Sequence, residues 1–135
     1  MIFVTADSCR SQLEGLTQLL FSAFPGSTIY RHTELCRVAH DVLNNKVDAV
    51  FMDAEMEKMN SLGLIQKLRI QKPKLPVFII SKSNDLYEKA AAAGANGYFV
   101  LPDSEQQLLE TIRLVVNKED GNVGRKRVLR QGRQL

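Results

Sequence analysis

Five short apolar runs, each followed by a polar turn and then by apolar residues at helical spacing, constrain this chain more than any other feature. IFVT (2–5), STIYR (27–31), DAVFM (48–52), PVFII (76–80) and GYFVL (97–101) have strand length and are bounded by turn residues. Between them the period changes. Leu13, Leu16, Leu19, Leu20 and Ala23 mark a first helix, closed by Pro25-Gly26. Leu35, Val38, Ala39, Val42 and Leu43 mark a second, with Thr33 as its expected cap and Asn44-Asn45 as its stop. Leu62, Ile65, Leu68 and Arg69 precede Pro73, and Leu86 to Ala93 end at Gly94, a residue suited to a helix C-terminus. Ser104 with Gln107 has the form of a capping box ahead of Leu108, Leu109, Ile112, Val115 and Val116. Such strict alternation predicts an α/β fold, (βα)5, with a doubly wound parallel five-stranded sheet and helices on both faces, since parallel strands need a crossover.

The 135 residues suit one domain with a core of its own. Residues 1–117 are read as that domain, and residues 118–135, where the apolar periodicity ceases, as a flexible basic tail or linker. The tail holds six basic and two acidic residues, whereas the rest holds 12 basic and 13 acidic, so the net charge of +3 belongs to the tail. Its Lys and Arg residues can meet nucleic-acid phosphates, but no aromatic residue is interleaved, and a solvated terminus is the simpler reading. No apolar run approaches the roughly 20 residues of a membrane span, and the N-terminus lacks the pattern of a secretion signal, so a cytoplasmic protein is expected. Cys9 and Cys36 lack metal-site spacing and are read as free thiols; His32 and His40 are isolated from them.

In an open parallel sheet, ligands bind beyond the carboxyl ends of the strands. Asp7, Asp53, Ser81 and Leu101-Pro102 fall there. Two carboxylates on one rim suit a hard divalent cation, and a carboxylate is also a nucleophile toward phosphorus. Strand-end aspartates equally cap turns, so spacing alone leaves both readings open.

The residues themselves go further. DAVFMDAEMEKMNSLGLIQKLR resembles the acceptor strand, turn and following helix of bacterial response regulator receiver domains, which are CheY-like with a flavodoxin-like fold. PVFIISKS and AAAAGANGYFVLP are similar to that family's fourth strand, fourth helix and fifth strand, and the likeness runs from Ile2 to about Val116. The interval from Ser81 to Gly94 is most similar to receivers of LytTR-type regulators. The resemblance implies phosphorelay signalling rather than enzyme turnover. Asp53 would be the phosphoacceptor, Ser81 the phosphoryl hydrogen-bond donor and Tyr98 the aromatic switch. Mg2+ would be held by Asp7, Asp53 and the Glu55 backbone carbonyl. A histidine kinase or phosphotransfer protein would be the donor. Output would pass through the face of the fourth helix, fifth strand and fifth helix to an effector domain or protein, with a homodimer as a further expectation.

Three positions depart from that pattern: Ala6 replaces an acid, Leu101 a lysine and Glu57 a proline. A metal site one acid short binds Mg2+ weakly, and Leu101 leaves a phosphoryl group without its usual cation. Lys82, next to Ser81, is a candidate substitute for that cation, but strand alternation sends its side chain to the side opposite Ser81. A pseudo-receiver that binds a partner without phosphorylation is therefore the alternative. VFMDAEM also resembles the opening of haloacid-dehalogenase-type phosphatases, although the later lysine and acidic pair of that family are not evident.

Overall fold

The computed structural model describes residues 1–54, 56, 61–101, 103–116, 129–130 and 133–134. The elements in chain order are β1 (Ile2–Ala6), α1 (Arg10–Ala23), β2 (Thr28–His32), α2 (Leu35–Asn44), β3 (Ala49–Asp53), α3 (Ser61–Gln71), β4 (Val77–Ser81), α4 (Tyr87–Ala93), β5 (Gly97–Val100) and α5 (Glu105–Val116). The five strands pair in parallel in the order β2-β1-β3-β4-β5, the expected doubly wound arrangement.

Strand alternation divides the core between the two faces of the sheet. On one side Val4, Val50, Met52, Val77, Ile79 and Tyr98 pack with Val38 of α2, Ile65 and Leu68 of α3 and Ala90 of α4. On the other, Phe3, Phe51, Phe78 and Phe99 meet Leu16 and Leu20 of α1 and Leu108 and Ile112 of α5. The four phenylalanines form a row across the sheet, with successive ring centroids 5.6, 5.4 and 6.1 Å apart. Each is fully buried, which contributes about 2–3 kcal/mol apiece from area alone. The run Ala90 to Ala93 gives a slim helix, and Gly94 ends it at φ +107°, a left-handed conformation that a side chain would strain.

Two local expectations need correction. The N-cap of α2 is Glu34 rather than Thr33, without a side-chain capping bond, and Glu34 instead lies 3.5 Å from Arg37 on the surface. The capping box before α5 is not formed: the Ser104 N–H donates to the Val100 carbonyl, and Gln107 Oε1 has no hydrogen-bond partner. Leu129–Arg130 (β6) runs parallel to β5, pairing Gly97 with Leu129 and Tyr98 with Arg130, and Arg133–Gln134 (β7) returns antiparallel to it. Backbone pairing needs no apolar pattern, so the polar sequence gave no warning of it. Cys9 and Cys36 are free and exposed. Among the described residues no helix is long and apolar enough to cross a membrane.

Candidate functional site

The strand order reverses direction at β1, where β2 lies on one side and β3 on the other, so the connections after β1 and β3 diverge and open a crevice. Asp7 follows the last β1–β3 pair, Ala6 with Met52, and Asp53 is the last residue of β3. Asp53 in turn pairs with Ile80, which puts Ser81 one residue further along β4. Leu101 follows the Ser81–Val100 pair, and its N–H donates to the Ser81 carbonyl at 3.1 Å. Register alone thus gathers Asp7, Asp53, Ser81 and Leu101 on one rim.

Asp7 is buried. Its Oδ1 accepts the Cys9 N–H at 2.8 Å, at the start of α1. With the Gln12 amide oriented to satisfy both of its neighbours, Nε2 donates to Asp7 Oδ2 at 3.0 Å and Oε1 accepts from Lys82 Nζ at 2.7 Å. Burial raises the Asp7 carboxyl above its ordinary pKa; the Cys9 hydrogen bond and the positive charge of Lys82 act in the opposite sense and do not offset it. The Asp53 carbonyl accepts the Ser61 hydroxyl at 2.9 Å, which ties the end of β3 to the first turn of α3.

Ser81 is buried, and its Oγ accepts the Ser83 N–H at 3.2 Å. A hydroxyl that accepts in this way keeps its hydrogen for donation. Tyr98 is fully buried, donates its hydroxyl to the Ser83 carbonyl at 2.6 Å, and stacks edge-on with Tyr87 at 5.9 Å. Ser83 therefore joins the two: its N–H rests on Ser81 and its carbonyl on Tyr98. Tyr98→Phe is expected to cost about 1 kcal/mol of stability and to speed amide exchange at Leu86, whose N–H also reaches the tyrosine oxygen at 3.4 Å.

The substituted positions have been absorbed into packing. Ala6 is buried in the cluster facing α2, α3 and α4, and Leu101 packs against the phenylalanine cluster. Glu55, whose carbonyl was assigned to the metal, and Glu57 lie outside the described residues. Among the described residues no group of three His, Cys, Asp or Glu side chains could hold a metal ion. Asp7 and Asp53 nonetheless supply the hard oxygen donors that Mg2+ takes together with water.

Gln12 and Lys82 were not among the residues singled out as site members. Lys82 does leave on the side opposite Ser81, as alternation expects, but that is the face covered by α1, where its Nζ meets the Gln12 amide beside Asp7. No sequence signal identifies Gln12, which reaches the rim only because α1 packs beside it.

A doubly wound sheet with two acids and a hydroxyl at adjacent strand ends defines a class of phosphate-handling signalling domains. The chain matches the response regulator receiver domain family over residues 3–113, and it belongs to that family. It is 24% identical over 123 residues to the response regulator MprA of Mycobacterium sp. (strain KMS), covering 90% of this chain and 53% of that protein. It is 26% identical over 113 residues to the glycerol metabolism activator of Pseudomonas putida, covering 82% and 50%. The chain thus spans about half the length of these curated relatives. Its fold is shared by the signal receiver domain of a DNA-binding response regulator from Colwellia psychrerythraea, with a TM-score of 0.79, 20% identity and coverage of 87% and 99%. Membership sets aside the likeness of VFMDAEM to haloacid-dehalogenase-type phosphatases.

Proposed function

We propose that this receiver domain accepts a phosphoryl group on Asp53 from a histidine kinase or phosphotransfer protein in a two-component phosphorelay. The observation that carries the reading is the convergence of Asp7, Asp53 and Ser81 on one rim through strand register. A carboxylate oxygen of Asp53 forms a bond to phosphorus as the bond from phosphorus to the donor breaks, and the donor group leaves with the electron pair. Positioning and charge neutralisation dominate such a transfer. Asp7 and Asp53, with the Glu55 carbonyl that the resemblance adds, would hold Mg2+, weakly because Ala6 supplies no acid, and the ion would supply positive charge against the phosphoryl group. Ser81 donates its hydroxyl hydrogen to a phosphoryl oxygen.

Drawing Ser81 toward the phosphoryl group pulls on the Ser83 N–H, and the Ser83 carbonyl carries that movement to Tyr98. The new charge thereby biases the face of α4, β5 and α5 between two arrangements. That face is the output surface, toward an effector domain or protein and toward a homodimer partner. The domain works as a cytoplasmic signalling module without turnover of its own. The LytTR-type affinity rests on the Ser81–Gly94 interval alone, and nucleic acid is contacted through an effector rather than through the tail.

Incubation with acetyl phosphate and Mg2+, followed by intact mass measurement, tests this reading. One phosphoryl adduct is expected on the native chain and none on Asp53→Asn. Absence of an adduct from both would transfer the domain to the pseudo-receiver reading, in which it binds a partner without phosphorylation.

A further inference from the structure

The site lacks a lysine at position 101, yet a lysine reaches its rim from elsewhere. Lys82 leaves the turn after β4 toward α1, where its Nζ donates to Gln12 Oε1 at 2.7 Å while Gln12 Nε2 donates to Asp7 Oδ2 at 3.0 Å. An amide between an ammonium and a carboxylate relays one to the other, each end meeting its complement. The positive charge is felt at Asp7, whose ionised form it favours. Lys82 also sits between Ser81 and Ser83, the two residues joined by the turn hydrogen bond.

We infer that Lys82, steered by Gln12, supplies the cation that Leu101 cannot, and pairs with the phosphoryl oxygens on Asp53. This rests on the proposal that Asp53 is phosphorylated. In the resting domain the Gln12 amide holds the ammonium beside Asp7. Once a dianionic phosphoryl group forms, the flexible lysine stem lets the ammonium turn from a neutral amide oxygen to a charged one, a stronger hydrogen bond. The same ammonium repels a divalent cation at Asp7, so Lys82 and Mg2+ act against each other in the resting site and together only after transfer.

The test uses the full chain, with acetyl phosphate and Mg2+ as one probe and Mg2+ alone as the other. Lys82→Gln is expected to lower the steady-state phosphoryl adduct roughly threefold to tenfold at low salt, with the deficit shrinking as NaCl is raised. Mg2+ binding followed by NMR shifts at Asp7 and Asp53 should stay equal or tighten in the variant. Adding Leu101→Lys to Lys82→Gln should recover the adduct. An unchanged adduct in Lys82→Gln, with the native chain phosphorylated, overturns the role of Lys82 and leaves Asp53 as acceptor. Parallel loss of adduct and Mg2+ binding, without recovery by Leu101→Lys, overturns it in favour of a structural role. No adduct on the native chain overturns both the acceptor and its cation.

Discussion

Replacing Arg69 with methionine is expected to lower the unfolding free energy by about 3 kcal/mol. The guanidinium near the end of α3 makes four hydrogen bonds to uncharged acceptors. Nη1 donates to the Pro73 and Leu75 carbonyls at 3.0 and 2.6 Å, and Nη2 to the Gly94 carbonyl and Asn96 Oδ1 at 2.8 and 2.6 Å. Asn96 Oδ1 also accepts the Val77 N–H at 2.8 Å, so one side chain joins the end of α3, the start of β4 and the turn from α4 into β5. Desolvation lowers the Arg69 pKa, but the group stays protonated across the working range. Methionine keeps a comparable apolar stem and removes the donors, so the loss measures unpaired acceptors rather than a cavity. Urea unfolding should show a lower midpoint with an unchanged slope. A loss below about 1 kcal/mol would mean that water replaces the guanidinium at these carbonyls.

Arg69 also marks where the sequence stops being legible. Its place near the end of a helix was evident from the apolar spacing, but its partners lie up to 27 residues away and follow only from the packing of α3 beside α4. The five strands were legible because burial on both faces leaves unbroken apolar runs in β3 and β4. Four of their ends fall one residue beyond the expected limits, and this matters at the site: Asp53 and Ser81 are terminal strand residues, fixed by the ladder, rather than the first residues of loops. The capping box before α5 misled because Ser104 spends its N–H on the Val100 carbonyl in the preceding turn. Lys82 misled for a different reason: it does leave opposite Ser81, but on the face that α1 covers, where Gln12 links it to Asp7.

Asp7→Asn should separate function from stability in opposite directions. Burial raises the Asp7 carboxyl above its ordinary value, so the folded chain holds this proton to higher pH than the unfolded chain does. As pH rises through the window between the two values, the native state binds more protons than the unfolded state, and stability falls. Above that window the cost is fully present. Without Mg2+ at pH 7 the asparagine variant is therefore expected to be more stable, by on the order of 1 kcal/mol. Its amide oxygen can still accept the Cys9 N–H. Lowering the pH from Asp7's raised pKa toward that of an unfolded aspartate should erase the advantage, which thermal unfolding at a series of pH values would record. The phosphoryl adduct from acetyl phosphate and Mg2+ should meanwhile fall by roughly tenfold or more, as expected when a metal ligand is removed. A variant that is less stable at every pH would show that the hydrogen bonds of the carboxylate outweigh its desolvation. A more stable variant that is phosphorylated normally would leave metal binding to other groups. The expected pair of results would instead identify Asp7 as a buried charge that costs the apo fold stability and serves a cation at the rim.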